Sequence, residues 1–423
     1  MRKTNLPRDI IRLSAATLLC AGTAAADLTI PGADGSDGTF APTADVTVDL
    51  SLAPTAGWDS IGSGNGVYDP DKWAVVFKYA SVSIPSGVTV SFQNHPSGAP
   101  VVWLVSGDAD IAGAVSLDGQ GMQYSPSNAK PGPGGFGGGF GYYSGVQGAS
   151  AGGGFGVGGG GTGPSGGSYL TTGYSNGSPT YGSARLLPLI GGSGGGGDSD
   201  ESYGGGAGAG AFLLAVAGSL TLDGYIGANG GVGQTRRHSW DPYTCSGAGS
   251  GGGIRLIAET FTCNGLLYAV GQSHGACSGS SGYGRIRIET EHANGTCYII
   301  PSTTAVAPDD PVQLWLPEGA PEVRVVSING AVAPADPRPS FDPGQEDVSL
   351  PFTDESTIVL ETAYVEPDAS LRVRITPQYG DPFFIDAIQQ SGTYEQATWT
   401  ATGALPTGYF TVQAHAVNPA PQP

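Results

Sequence analysis

Three ten-residue stretches decide the fold: Asp110-Ile-Ala-Gly-Ala-Val-Ser-Leu-Asp-Gly119, Thr221-Leu-Asp-Gly-Tyr-Ile-Gly-Ala-Asn-Gly230 and Thr262-Cys-Asn-Gly-Leu-Leu-Tyr-Ala-Val-Gly271. Aligned without a gap, they share a glycine turn at the fourth position and a glycine corner at the tenth. An apolar run precedes each, at residues 101–105, 212–216 and 254–257, and a fourth copy opens at Arg285-Ile-Arg-Ile288 and reaches Asn294-Gly295. A unit of strand, turn, short strand and corner cannot bury its apolar face alone, so copies must stack. The expected fold is all-β, a right-handed parallel β-helix (solenoid) in which inward Leu, Ile and Val pile into ladders. An antiparallel sandwich would use strands of the same length but needs hairpin turns, and the register of the copies favours the solenoid.

Outward from the repeats, residues 46–50, 73–77 and 88–92 add β-branched and aromatic runs between turn clusters, which read as further strands. Between the first two copies lies a glycine-rich insertion at about 120–210, and residues 131–210 alone hold 34 glycines. Such a stretch has little apolar surface with which to offset its ordering entropy. It is either floppy or packed as extended, polyproline-II-like strands, since only glycine permits so close an approach of backbones. The apolar island Arg185-Leu-Leu-Pro-Leu-Ile190 reads as a strand returning to the core and favours partial order.

From residue 301 glycine thins, 17 of the last 123 residues are proline, and period-2 alternation sharpens over 323–328, 357–364, 371–375, 397–401 and 410–416. This is a second domain, 301–423, expected to be an Ig-like β-sandwich. In its last strand His415 alternates with Ala414 and Ala416 and is placed on the surface. The first domain then spans 27–300. Residues 1–26 read as a secretory signal peptide, with Arg2, Lys3, Arg8 and Arg12 ahead of a short apolar run and an Ala24-Ala25-Ala26 cleavage site. That run is too short to span a bilayer, so no membrane span is expected after cleavage.

The chain of 423 residues carries 36 acidic against 17 basic residues. Cleavage after Ala26 leaves 13 basic and 35 acidic residues, a net charge of -22, with only Lys72, Lys78 and Lys130 as lysines. A polybasic surface for nucleic acid or anionic lipid cannot be assembled from that set. Four cysteines remain in the exported chain, at positions 245, 263, 277 and 297, and their spacing lacks the short ligand pairs of a zinc site. Two disulfides are expected, Cys245 with Cys277 and Cys263 with Cys297, each tying one repeat to the next.

Candidate sites are sparse. Repeated G-x-G-x-x-G patterns and the elbow-like Gly163-Pro-Ser-Gly-Gly167 lack the helix that either motif needs. For polysaccharide cleavage the repeat strands offer Asp108, Asp110, Asp118 and Asp223 with Arg255, Arg285 and Arg287. The last two alternate with Ile286 and Ile288, as on the solvated face of a strand. Asp198, Asp200 and Glu201 in a glycine-rich bend are the candidate ligands for calcium, the one cofactor the sequence suggests. Exposed rows of Tyr and Trp can stack on sugar rings, which makes Tyr142, Tyr143, Trp240 and Tyr243 candidate ligand-binding residues.

Several segments resemble exported, glycine-rich bacterial proteins: Gly35-Ser-Asp-Gly-Thr-Phe40, Tyr68-Asp-Pro-Asp-Lys-Trp-Ala-Val-Val-Phe77, Asn94-His-Pro, Ala99-Pro-Val-Val-Trp-Leu104, Pro131-Gly-Pro-Gly-Gly-Phe136, Leu187-Pro-Leu-Ile-Gly-Gly192 and Gly284-Arg-Ile-Arg-Ile-Glu289. The resemblance implies a secreted, β-rich surface or matrix protein and brings no catalytic residues with it. The expected function is that of a non-enzymatic envelope, extracellular-matrix or adhesion component. Its partners would be extracellular polysaccharide or envelope material, and the alternative is a parallel β-helix that binds or cleaves polysaccharide.

Overall fold

The computed structural model describes residues 28–144, 150–175, 178–236, 244–274, 279–335, 346–351 and 353–417, and there it is all-β, with one 3-10 turn at Leu50–Leu52. The signal-peptide reading of residues 1–26 falls outside the described residues.

Five repeats follow one another. Each sends a strand of five to twelve residues into a first sheet, in the order Ala74–Ile84, Val101–Val105, Ala211–Leu222, Gly253–Cys263 and Arg285–Glu289, every neighbour parallel. Each sends a short strand into a second sheet, in the order Thr89–Gln93, Ala114–Ser116, Tyr225–Gly227, Leu266–Tyr268 and Tyr298–Ile300, again all parallel. The gap-free alignment of the sequence copies is the register of the sheets: Asp110 pairs with Thr221, Thr221 with Thr262, and Ala114 with Tyr225 and then Leu266.

Alternation in the first sheet buries both of its faces. Phe77, Trp103, Leu214, Leu256 and Ile288 are register neighbours and form one ladder facing the second sheet, which contributes Val115, Ile226 and Leu267. On the opposite face Val102, Leu213 and Ile257 pack under Leu186, Leu189, Val312 and Leu314. The island at 185–190 is therefore a buried cover without strand pairing, not the returning strand its composition suggested, because Pro188 and the left-handed Leu186 break any ladder. Arg285 and Arg287 do not form a solvated face either. Both are half-buried: Arg285 donates to the Tyr181 carbonyl and lies over the Tyr169 ring, and Arg287 meets Glu289 at 2.6 Å. Arg255 is buried and meets the same Glu289 oxygen at 2.7 Å.

The described glycine-rich residues are held by regular backbone hydrogen bonds, and they form more than one insertion. Glycine segments leave the second sheet after residues 116, 227 and 268 and return to the first sheet before residues 211, 253 and 285. Their hydrogen bonds repeat every three residues. Gly204, Ala207 and Gly210 donate to the carbonyls of Gln123, Gln120 and Leu117, Gly205 and Gly208 to those of Gly139 and Phe136, and Gly206 and Ala209 to those of Gly247 and Ser250. Three successive residues thus address three different neighbours, the signature of an extended helix with three residues per turn. A side chain at such a position would strike a neighbouring backbone, as at Gly194, where an added Cβ would overlap the Gly137 carbonyl oxygen. What orders the segment is lateral backbone bonding in place of apolar burial.

Beyond residue 321 a seven-stranded antiparallel sheet wraps one apolar core of Ile358, Leu360, Leu371, Val373, Ile375 and Trp399. The strands read from the sequence are present, and Phe383–Gly392 joins them. This unit docks on the glycine bundle through Arg374, which is buried and donates to the carbonyls of Gly154, Gly156 and Gly159. Gly380 adds a bond to the Ala151 carbonyl, and Thr162 one to Asp381. His415 lies on the same strand face as Arg374 and is half-buried, which corrects its placement on the surface.

Cys263 and Cys297 are disulfide-bonded, with Cα atoms 5.1 Å apart, joining the fourth repeat to the fifth. Cys245 is also disulfide-bonded, while Cys277 lies outside the described residues.

Candidate functional site

Two aromatic surfaces stand out, and the glycine bundle makes the first. Because its segments run out from the sheets and back, the turns at 124–128, 142–144 and 198–203 meet at its far end. Ser125 donates to the Ser202 carbonyl at 2.8 Å, and the Tyr142 amide donates to the carbonyls of Asp198 and Glu201, each at 3.0 Å. Tyr124 and Tyr203 pair with ring centroids 5.3 Å apart, and Tyr379 from the C-terminal unit meets Phe140 at 5.6 Å. Tyr124 and Tyr142 are exposed, and Tyr143 is half-buried.

The proposed calcium ligands sit in this end, but the structure does not gather them into a ligand set. Asp198 turns inward, 2% exposed, and its Oδ1 accepts the amides of Asp200 and Glu201, closing its own bend. Burial pushes its carboxyl above the usual range, and the neighbouring Asp200 and Glu201 charges add to that. Among the described residues no group of three or more His, Cys, Asp or Glu could hold a metal ion. Trp240 and Tyr243 lie outside the described residues.

The second surface involves none of the aromatic residues named from the sequence. On the outer face of the second sheet, Ala114, Tyr225, Leu266 and Tyr298 are register neighbours, as are Ser116, Gly227, Tyr268 and Ile300. Tyr225 and Tyr268 approach to 5.7 Å at 81°, and Tyr268 and Tyr298 to 5.9 Å at 72°. The Tyr225 ring covers Gly227, where an added Cβ would run into it. Its hydroxyl is held by Asn229 Nδ2 at 2.5 Å, and the same Nδ2 donates to Asp118 Oδ1 at 3.0 Å. Burial and the nearby Asp118 charge push the Tyr225 hydroxyl up to about 12, so it stays protonated. The signal was present in the sequence as Tyr225, Tyr268 and Tyr298 at equivalent or neighbouring places of successive repeats.

Of the four carboxylates placed near the repeat strands, Asp110 is exposed and the other three are bound into the repeat turns. Asp108 accepts the Ser219 amide at 2.8 Å, Asp118 the Asn229 amide at 2.7 Å, and Asp223 the Asn264 side chain at 2.9 Å, each joining one repeat to the next.

No family model, curated protein or solved structure matches the chain. Among the described residues no helix is long and apolar enough to cross a membrane.

Proposed function

We propose that the protein is an exported, non-enzymatic surface, matrix or adhesion component whose recognition surface is the far end of the glycine bundle. The observation that carries this reading is the convergence there of aromatic and acidic side chains from turns distant in sequence, on a backbone scaffold too tightly packed to admit side chains. Loops presented by a rigid scaffold are the usual carriers of binding. In this reading the repeats wind as a right-handed parallel β-helix, a form supported by the matching chain order of the two parallel sheets. The glycine bundle is then the third side of the coil, and the C-terminal unit is an Ig-like docking module. Export is supported by the disulfide, since such bonds persist in oxidising compartments.

Fractionation of the native cell, with the protein detected by antibody, tests the location, and binding of the purified chain to isolated envelope material tests the surface. Recovery outside the cytoplasm, with binding lost on Tyr124→Ala plus Tyr142→Ala, is expected. Cytoplasmic retention, or binding unchanged by that pair, contradicts the reading. The carboxylate bonds between repeats favour binding over cleavage, so incubated polysaccharide should keep its chain length.

A further inference from the structure

We infer that the outer face of the second sheet is a separate binding site, and that its ligand is a neutral polysaccharide chain. The face is continuous, because five parallel short strands follow one another across it without a break in register. The outward positions already named, from the second repeat to the fifth, carry no charge.

Tyr225 is built as a platform. One side of its ring lies over Gly227, the only residue type that leaves room there, and its hydroxyl is tied down by Asn229. The ring is therefore held along the sheet surface. Tyr268 crosses it nearly edge-on and supplies a wall, and Tyr298, 57% exposed, continues the row to the last repeat. A fixed aromatic face with hydroxyl and amide groups at its border suits a ring that is apolar on its faces and hydroxylated at its rim, as a sugar is.

Charge selects among polymers. Asp118, the acid at the border, is committed to Asn229, and no Lys or Arg lies on the face. The exported chain's net charge of -22 repels polyanions. An uncharged glycan meets neither penalty, whereas an acidic polysaccharide would find no cation to pair with. This site stands apart from the far end of the glycine bundle and does not depend on it.

The test measures affinity of the full exported chain for soluble neutral polysaccharides (a β-glucan, a galactomannan and a starch) and for alginate and polygalacturonate, by retardation in polysaccharide-containing native gels. Wild type should be retarded by at least one neutral polymer and by neither acidic one. Tyr225→Ala with Tyr268→Ala should weaken that binding about tenfold or more, the loss of roughly one stacking contact. Leu266→Lys on the exposed face should do the same without touching the core, which guards against a folding defect. Asn229→Ala should weaken binding less than loss of the rings, because it frees the platform without removing it. Ile388→Ala, exposed on the C-terminal unit and outside both surfaces, should leave retardation unchanged. No neutral polymer bound, equal binding of the acidic ones, or full binding by folded Leu266→Lys protein would overturn the inference.

Discussion

At Gly194 a single methyl group decides whether two chains can pass. An added Cβ would sit within the Gly137 carbonyl oxygen, so Gly194→Ala should destabilise the protein by about 1–3 kcal/mol or more, as overpacking does. Gly161, where an added Cβ would meet only the Ser165 hydroxyl at 3.6 Å, is the matched control, and Gly161→Ala should change stability by about 0.5 kcal/mol or less. Chemical unfolding of the two variants compares them directly, and equal losses would contradict the packed bundle. His415 supplies a pH readout. Burial, then the Arg374 and Arg372 charges, lower its pKa to about 4. The unfolded chain takes up this proton near pH 6.5 while the fold refuses it until about 4. The stability His415 contributes is therefore complete above about pH 6.5 and falls as the pH drops towards 4. His415→Gln should flatten the stability profile across that window, and an unchanged slope would exclude a neutral imidazole in the fold.

At the scale of elements, the repeats were legible because each copy carries its own turn glycine and its own inward aliphatics. Thr221 and Thr262 could be paired from sequence, and the sheets pair them. The glycine segments were not legible to the same degree. Their order comes from bonds between backbones, which no side chain announces, so nothing in residues 228–234 and 246–252 marks them as part of the bundle although Gly249 and Gly252 donate to Gly231 and Ala228 in the same three-residue rhythm. His415 was misplaced for a related reason: alternation tells which residues share a face, not which neighbours, here Phe384, pack against it. The site divided likewise. Tyr142 and Asp198 could be picked out by composition, but their meeting with Tyr124 and Tyr203 depends on how far the glycine segments run before turning. The disulfide was readable because Cys263 and Cys297 occupy successive repeats. Cys263→Ser with Cys297→Ser should cost about 2–4 kcal/mol and leave the strand content intact, seen as a lower midpoint with an unchanged far-ultraviolet spectrum.

For the whole molecule, the joint between the glycine bundle and the C-terminal unit holds one buried cation. Burial lowers the Arg374 pKa to about 10, yet it remains charged at neutral pH, with three glycine carbonyls as its acceptors. Arg374→Met keeps the stem and removes the donors. It should loosen the joint while both cores persist, so limited proteolysis should release the C-terminal unit faster than from wild type, and an identical digestion rate would show that the docking rests elsewhere.

The claim on which scaffold and surfaces depend is that the glycine-rich chain is a packed bundle. Hydrogen exchange followed by mass spectrometry on peptides spanning residues 190–210 tests it most directly. Protection close to that of the sheet strand Gly253–Cys263 is the expected result, because the Gly194, Gly195, Gly205 and Gly206 amides each donate to a neighbouring backbone. Complete exchange at the earliest time point, with the sheet strand still protected, would contradict it.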